Sequence, residues 1–476
     1  MIPRPFSVAP AASLGRMLYG VRPLSGAMHM DTWAAEEFGG VELGDGRLSK
    51  RLMKVASDFA DRPTASIPGT CSGWAETQAA YRFFDQASDK KQGLGWEDIL
   101  APHMACTIAR MRPHRVVLCL QDTTELDFKG QAIEALGPLS YEAQRGLYLH
   151  PTYVVTPDWE PLGVIDAWIW AREFKDADGN RPGILESTRW IEGYERVAEA
   201  AATMPGTRLV YVADREADIL GLMQRAHALE TPADWLIRAK HNRSLPMGGK
   251  LWTKVRAGEA LGVIEFLLPA RGKEAARPVR QKLFARRVEL PDGQGGLLPV
   301  TCVIAQEIGA PKGVKPIEWR LLTNREADSL EAVAELIDWY RARWEIEIFF
   351  NVLKNGCRVE ALQLGHIDKI ELALAVYMVV AWRLAHLVRL GRTHPDLSAC
   401  ELFSEEEWKG AYLLAEKEPP STPPNLRQMI RQIAMLGGFL GRKCDGEPGV
   451  KTLWLGFARL RDFVRGVEFM QSIDAK

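Results

Sequence analysis

The stretch "RVVLCLQDTTELDF", residues 115–128, indicates the fold at the centre of this chain. A run of apolar residues ends in Asp122, which is typical of a buried central strand with a carboxylate at its carboxyl end. The stretch "TRLVYVADREADILGLM", residues 207–223, repeats the pattern with Asp214. A buried strand end is a costly place for a charge, and in open α/β sheets the chemistry gathers there. Either aspartate alone could equally cap a helix, but two in the same position favour a functional site.

The segments around these strands predict an α/β protein with a mixed sheet. Residues 147–174 predict two strands joined by the turn "TPDWEPLG", and residues 277–323 predict an antiparallel insertion. His150 follows an apolar strand, and we interpret it as structural. A chain of 476 residues is too long for one core. We expect a helical N-terminal domain at 30–95, a central domain at 100–368 with a β insertion at about 240–318, and a helical C-terminal domain at 369–476.

A third carboxylate lies in "YRARWEIEIFF", residues 340–350. On a helix with about 100° per residue, Tyr340, Arg343, Glu347 and Lys354 fall within a stripe about 60° wide. The other residues are mostly bulky and apolar, so we expect one helix that is packed on most sides and presents this stripe. Glu347 could then bind a metal ion while the other three grip phosphate oxygens. The alternative is an ordinary ion-pair ladder, because Arg343 and Glu347 are four residues apart.

Three carboxylates that converge on one point repel one another, and divalent cations relieve that repulsion. We therefore expect Asp122, Asp214 and Glu347 to form a metal site. The formal net charge of the chain is only -1, but 13 lysines and arginines face three acidic residues between Arg238 and Arg287. This segregation fits a protein that binds a polyanion on one face, although it also fits two solvated surfaces of opposite sign.

The N-terminal helices offer a second candidate surface for DNA. Arg47, Lys50 and Arg51 lie on the face of a helix opposite its apolar residues, which fits either a DNA contact or an ordinary solvated face. The seven cysteines include no CxxC pair, which disfavours a disulfide framework or a zinc site. Residues 371–390 form the most apolar stretch, but its charged residues predict a buried helix and no membrane span. Residues 1–29 lack acidic residues, and we expect a disordered leader or an over-extended reading frame with its true start at Met28 or Met30.

The spacing Tyr-x2-Arg-x3-Glu-x6-Lys from Tyr340 to Lys354 resembles a signature of the IS4 family of bacterial insertion-sequence transposases. "QDTTELDF" and "ADREADI" are similar to that family's first two aspartate motifs. The likeness to Tn5-type members runs from "WAAEEF" and "LGDGRLSKRL" through "AAYRFF", "IRAKH", "APKG" and "EWRLLT" to "LGGF". It covers the chain from about Trp33 to its C-terminus. Each motif alone is weak, but their common order is highly specific.

The resemblance implies an RNase H-like catalytic core in which Asp122, Asp214 and Glu347 bind two Mg²⁺ ions, with Mn²⁺ able to substitute. The two ions would lie roughly 4 Å apart, one activating the nucleophile and the other stabilising the leaving oxygen. Water would cut one strand at the transposon end, and the freed 3′-OH would attack the opposite strand to give a hairpin. A second water would open the hairpin, and the 3′-OH would join target DNA.

The resemblance also implies several DNA contacts. Trp319, in "EWRLLT", would stack on a base that leaves the helix, and Trp344 is a second candidate. Trp319 could instead be a core residue of the insertion. Arg238, Lys240 and Arg243 would contact DNA at the cleavage site. The N-terminal domain would bind the terminal inverted repeat, and the last helices would form a homodimer on DNA.

One departure from the family pattern is Asn351, where a close member has a further lysine, so one phosphate contact is expected to be absent or moved. Two other functions stay open. One is a metal-dependent nuclease that cuts DNA without joining it, and the other is an inactive relic that binds DNA and inhibits active relatives. For all three we expect a cytoplasmic protein, associated with the nucleoid when it is bound to DNA.

Overall fold

The computed structural model describes residues 32–88, 93–268, 276–442 and 445–474, so the leader lies outside the described residues. The α-helices described, in chain order, are α1 (Thr32–Phe38), α2 (Gly46–Asp61), α3 (Ile67–Thr70), α4 (Trp74–Phe84), α5 (Trp96–Met111), α6 (Glu186–Ala202), α7 (Leu220–Ala228), α8 (Leu251–Arg256), α9 (Leu330–Ala342), α10 (Trp344–Asn351), α11 (Ile367–Thr393), α12 (Glu405–Leu413), α13 (Leu426–Leu436) and α14 (Val450–Asp474). The strands are β1 (Val116–Gln121), β2 (Thr124–Asp127), β3 (Gly137–Pro138), β4 (Arg145–Val155), β5 (Pro161–Trp170), β6 (Arg208–Ala213), β7 (Asp234–Arg238), β8 (Gly262–Leu268), β9 (Arg277–Pro291), β10 (Leu297–Ile308) and β11 (Glu318–Thr323).

One mixed sheet joins these strands in the order β2-β4-β1-β6-β7-β11-β10-β9-β8, and β3 and β5 also pair with β4. The strands β1, β6 and β7 are parallel neighbours, whereas β5, β4 and β1 are antiparallel. The path β5-β4-β1-β6-β7 is therefore an antiparallel meander extended by two parallel strands, which is the RNase H-like arrangement. The predicted fold class is confirmed.

The predicted antiparallel insertion is continuous with the central sheet. The strands β8, β9 and β10 form an antiparallel ladder, and β11 pairs with β10 on one side and β7 on the other. Because β11 joins the ladder to β7, the insertion widens the core sheet at its parallel edge. Its first residues after β7 consequently lie beside the carboxyl ends of the parallel strands.

The central strands are buried on both faces, as their continuous apolar runs predict. Along β1, Leu118 and Leu120 belong to one core while Val117 and Cys119 belong to the other, as the two-residue period of a strand requires. The first core is covered by α9, α10, α11 and the terminal helices, and the second by α6, α7 and α8. The side chain of Asp122 continues the face of Leu118 and Leu120, toward α9 and α10.

The helix α11 is long and apolar enough to cross a membrane by length and composition, but 89% of its apolar window is buried inside the protein. It contacts α5 and β5 as well as the helices of both termini, and it is therefore a core helix. The N-terminal helices are tied to this core by buried ionic contacts. Glu37 of α1 accepts a hydrogen bond of 2.6 Å from Arg110 of α5, and Arg461 of α14 pairs with Asp61 of α2.

Candidate active site

The carboxyl ends of the parallel strands bring Asp122 and Asp214 side by side. In the register of β1 and β6, Gln121 is opposite Ala213, so the residues that follow each strand are neighbours. The oxygen Oδ1 of Asp214 accepts a hydrogen bond of 2.7 Å from the N–H of Glu216 and caps a short 3₁₀ turn. Asp214 can therefore cap this turn and also belong to the predicted metal site. Ile237 is opposite Ala213 in the same way, which aligns Arg238 with the two aspartates.

The single straight helix predicted through Arg343 is wrong, because the chain breaks into two helices there. α9 ends at Ala342, and α10 begins at Trp344. The N–H of Arg343 donates to the carbonyl of Tyr340, and the N–H of Ile346 donates to the carbonyl of Arg343, both at 3.2 Å. These bonds span three residues instead of four, so the backbone is tightened as in a 3₁₀ helix, and the regular phase of the α-helix is lost.

A second irregularity follows α10. Residues Val352–Gly356 form a π-helical turn, and Lys354 lies half-buried within it. A spacing of 100° per residue therefore does not apply to Lys354. The position of this side chain relative to Tyr340, Arg343 and Glu347 cannot be taken from the helical projection. Both 3₁₀ and π segments inside helices are common at functional sites.

Arg343 connects two of the three predicted acids. Its Nη1 donates to Oδ2 of Asp122 at 2.5 Å, and its Nη2 donates to Oε1 of Glu347 at 2.6 Å. Only 11% of the Arg343 side chain is exposed, compared with 20% for Asp122 and 36% for Glu347, so the bridge is largely shielded from water. The ion pair between Arg343 and Glu347 was the alternative interpretation of the stripe. It is present, and it is one half of a bridge that extends to the end of β1.

The site carries an excess of negative charge. Burial raises the pKa of Asp122 to about 7, and the negative charges of Asp214 and Glu347 add to this rise although Arg343 opposes it. Burial alone would lower the pKa of Arg343, but Tyr340, Asp122 and Glu347 together outweigh it and raise that pKa well above its ordinary value. One guanidinium therefore stabilises the carboxylates only in part. Perturbed groups of this kind are typical of functional sites.

The three carboxylates fit a divalent metal ion by their chemistry, since hard cations prefer carboxylate oxygens. Among the described residues, no group of three His, Cys, Asp or Glu side chains is close enough to hold a metal ion as it stands. The bridge explains this, because Oδ2 of Asp122 and Oε1 of Glu347 both point at the guanidinium of Arg343. The donor set suits a hard divalent cation, and two of its members are held by one guanidinium.

Tyr340 and Trp319 lie beside the acids. Burial raises the pKa of Tyr340, while the nearby positive charges of Arg343 and Arg238 act in the opposite direction. The ring of Trp319 meets Tyr340 edge-on at 6.2 Å between centroids and stacks on Phe266 at 5.7 Å. Trp319 is half-buried on β11, at the border between the insertion and the site. Trp344, the second predicted base contact, is 45% exposed.

The loop after β7 contains the predicted DNA contacts Lys240 and Arg243. The side chain of Asp218 is fully buried, and its Oδ2 accepts hydrogen bonds from the backbone N–H groups of Lys240 at 2.6 Å and His241 at 2.8 Å. Arg243 forms an ion pair of 2.6 Å with the same carboxylate, whereas Lys240 is exposed. Sequence reasoning missed Asp218. The acid four residues after Asp214 in "ADREADI" was the available signal.

A second contact supports the end of β1. The hydroxyl of Thr123 lies 2.7 Å from Nδ1 of His150, and the N–H of Thr123 donates to Oδ1 of Asp122 at 2.9 Å. Burial lowers the pKa of His150 to about 3, so the imidazole is neutral. His150 therefore acts as a structural residue next to the site, which agrees with the interpretation from sequence.

The basic face of the N-terminal domain lies on α2. Lys50 is exposed, Arg51 is half-buried, and Arg47 is almost fully exposed while it pairs with Asp45. Leu52, Val55 and Phe59 on the opposite side belong to the core, as the periodicity predicted. An exposed basic face suits DNA and solvent equally, so a DNA contact at these residues stays a prediction. DNA contacts by the residues of the loop after β7 are likewise predictions.

Three family models match the chain in succession. Residues 30–88 match a transposase DNA-binding domain, residues 191–382 match a transposase DDE domain, and residues 379–475 match the dimerisation domain of transposase Tn5. The DDE match contains Asp214 and Glu347 but begins after Asp122. The assignment of Asp122 to the same site as Asp214 and Glu347 therefore depends on the strand register and on its contact with Arg343.

Proposed function

Since this chain belongs to the IS4 family of transposases and is of the Tn5 type, we propose that it moves an insertion sequence by cut-and-paste transposition. It is a DDE-type transposase with a DNA-binding domain and a dimerisation domain. The observation that carries the proposal is the convergence of Asp122 and Glu347 on Arg343, with Asp214 next to Asp122. This arrangement supports a single site for phosphodiester chemistry, built from the central sheet and α10.

A DDE transposase depends on divalent metal ions. We assign Asp122, Asp214 and Glu347 to hold them, and we propose two Mg²⁺ ions, with Mn²⁺ as a substitute. When bound, such ions supply an activated nucleophile and stabilise the charge on the leaving oxygen. The carboxylates contribute the negative charge that makes this position favourable for cations, which agrees with the raised pKa of Asp122.

The reaction that we propose has four displacements at phosphorus. Water attacks at the transposon end, and the 3′-oxygen of the transposon leaves as a hydroxyl. That hydroxyl attacks the opposite strand, which forms a hairpin and releases the flanking DNA. A second water opens the hairpin, and the 3′-OH then attacks a phosphodiester of the target. Each step forms one P–O bond and breaks one, so no covalent enzyme intermediate is needed.

The residues around the acids would orient the DNA during these steps. Arg343, Lys354 and Arg238 would contact phosphate oxygens, because guanidinium and ammonium groups form charge-assisted hydrogen bonds with phosphate. Tyr340, Lys240 and Arg243 are further candidates of the same kind. Hairpin formation requires a base to leave the helix, and an aromatic ring can hold it. Trp319 suits that role because it borders the site beside Tyr340, and Trp344 is the second candidate.

The domains would divide the remaining tasks. Residues 30–95 would bind the terminal inverted repeat, with Arg47, Lys50 and Arg51 of α2 on the phosphate backbone. Residues 100–368 would carry out the chemistry, with the β insertion at about 240–318 alongside the DNA. Residues 369–476 would pair two copies, so that both transposon ends are held together. We place the protein in the cytoplasm, on the nucleoid when bound to DNA.

The test is a cleavage assay on a linear duplex that carries the inverted repeat flanking the gene, resolved on a denaturing gel with Mg²⁺. We expect a hairpin-ended product from the wild type and none from Asp122→Ala, Asp214→Ala or Glu347→Ala, with DNA binding retained in all three. Asp338→Ala is the matched control, because this exposed acid of α9 forms its ion pair with Arg341 and not with the three acids. It should cut like the wild type.

The same gel separates the alternatives. Nicking without hairpins or joined products would favour a plain metal-dependent nuclease. Binding without any cutting by the wild type, in Mg²⁺ or Mn²⁺, would identify an inactive DNA-binding relic. Retained cutting in one alanine variant would remove that residue from the metal site.

A further inference from the structure

The guanidinium of Arg343 lies between Asp122 and Glu347, two of the three acids assigned to the metal site. We propose that Arg343 is an exchangeable counter-cation that closes the metal site until DNA phosphate draws it away. Metal loading is then coupled to DNA binding. This inference rests on the proposed function of the three acids, and it concerns the regulation of that same site.

The contacts of Arg343 use the oxygens that a metal ion would need. Oδ2 of Asp122 and Oε1 of Glu347 are its acceptors, while Oδ1 of Asp122 is already bonded to the N–H of Thr123. Both acceptors are bound by the two terminal nitrogens of one planar group. A divalent ion held by Asp122 and Glu347 would have to compete with the guanidinium for these two oxygens, so metal and arginine would weaken each other's binding.

The burial of the bridge makes departure of Arg343 conditional. The side chain is 11% exposed, and a guanidinium in such a place is costly unless an anion is paired with it. When a metal ion takes the two carboxylates, Arg343 loses its partners and needs another anion. DNA phosphate is suited to this role, because it accepts two parallel hydrogen bonds from arginine.

Metal and DNA therefore assist each other at this site. When Arg343 binds phosphate, its bonds to the two carboxylates are broken and their oxygens become available to a metal ion. If a metal ion bound the carboxylates, Arg343 would be released to bind phosphate. Such a coupling is reciprocal. Bound DNA raises the protein's affinity for metal, and bound metal raises the protein's affinity for DNA by the same factor. The free protein is thereby held in a metal-poor state and is not ready to cut DNA at random.

The position of Arg343 in the chain favours this exchange. It lies at the junction of α9 and α10, where the backbone has tightened bonds and neither helix extends through it. The two helices are anchored in the core by residues such as Ile337 and Phe349. We therefore expect the exchange to proceed by rotation of the Arg343 side chain while the core holds both helices in place.

The experiment measures Mn²⁺ binding to the full-length protein by electron paramagnetic resonance, without DNA. We compare the wild type with Arg343→Gln and with Arg341→Gln. The second variant removes the same charge two residues away, where Arg341 pairs with Asp338 at 2.6 Å. We expect Arg343→Gln to bind Mn²⁺ about tenfold or more tightly than the wild type, because charged hydrogen bonds no longer compete for the carboxylates. Arg341→Gln should match the wild type. Equal affinities in wild type and Arg343→Gln would overturn the proposal.

A second titration adds the duplex with the flanking inverted repeat, and the Mn²⁺ bound by the duplex alone is subtracted. Saturating DNA should raise the Mn²⁺ affinity of the wild type, and should raise that of Arg343→Gln by a smaller factor. Wild-type affinity that does not change with DNA would contradict the exchange, even if the variant failed to fold. Neither titration reads cleavage, so a failure of the exchange is distinguishable from a failure of hairpin formation on the gel.

Discussion

Replacing Glu37 with glutamine should weaken the attachment of the N-terminal domain to the catalytic domain. Glu37 is 4% exposed on α1. Its Oε1 accepts a hydrogen bond of 2.6 Å from Nη1 of Arg110, and its Oε2 lies 2.6 Å from Nδ1 of His103. The N–H of Val164 donates to Nε2 of His103, so a neutral imidazole donates its Nδ1–H to Glu37. The carboxylate thus joins α1 to α5 and, through His103, to β5.

The magnitude follows from the charge balance of this network. Burial alone would raise the pKa of Glu37, but the positive charge of Arg110 and the hydrogen bonds from Arg110 and His103 outweigh it and lower the pKa to about 2 from 4.5. That shift corresponds to about 3 kcal/mol of stability at neutral pH. Glutamine would also leave the guanidinium of Arg110 buried without its anion, and breaking such a pair costs about 3–5 kcal/mol. The two figures describe the same interaction, so we expect a loss of about 3 kcal/mol or slightly more.

The pH dependence has a definite sign. Because the folded-state pKa lies below the unfolded one, the contribution is complete above pH 4.5 and is lost as the pH falls toward 2. The difference between wild type and Glu37→Gln should therefore be constant between pH 6 and 8 and smaller near pH 3. Scanning calorimetry should show the first unfolding transition lowered by about 6 °C or more at pH 7. The exposed Glu42→Gln in the same domain is the control. A shift in Glu37→Gln no larger than in that control would refute the reasoning.

Three further predictions follow from individual contacts. Trp319→Ala should reduce hairpin formation about tenfold or more while the first nick persists, whereas Trp319→Phe should keep most of it, as quantified on the denaturing gel. Asp218→Ala should release the loop at Lys240 and Arg243, so that trypsin cuts there faster than in the wild type, because the backbone N–H groups lose their acceptor. Gly456→Ala should destabilise the packing of α13 and α14 by about 3 kcal/mol in a thermal unfolding assay, because an added Cβ would lie 1.9 Å from the carbonyl oxygen of Ile433. Gly466→Ala on the same helix meets no atom within 4 Å and should be neutral or slightly stabilising.

The parts of the site that follow from local chemistry could be predicted from sequence. Asp122 and Asp214 each end an apolar strand, and parallel strands that are neighbours must present such residues at one edge. The partnership of Glu347 with Arg343 was likewise accessible, because residues four apart on a helix face each other. The basic loop after β7 could be placed near the acids once β7 was recognised as the next parallel strand.

The rest depended on contacts between distant segments. The break at Arg343 is not encoded by glycine or proline, and it accompanies a contact between residues 122 and 343 that only the folded chain brings together. A helical projection assumes a regular backbone, so it does not fix the position of Lys354 beyond the break, and its phosphate contact stays a prediction. The network of Glu37, His103 and Arg110 is hidden for the same reason. In the sequence, each of these residues is an ordinary polar position on an amphipathic helix. Their contacts form only when α1 packs against α5 in the folded chain.

The two buried ionic networks use the same kinds of residue in opposite ways. In the first, one carboxylate faces Arg110 and a histidine that donates to it, and the pKa of Glu37 falls to about 2. In the second, burial raises the pKa of Asp122 to about 7, and the charges of two more carboxylates add to the rise although Arg343 opposes it. The first network is electrostatically satisfied, which suits a structural link between α1 and α5. The second keeps unbalanced negative charge in a shielded place, at a cost in stability that a packing role would not require. Added positive charge relieves that imbalance, which is the physical reason for our proposal that a metal ion joins the acids when DNA binds Arg343.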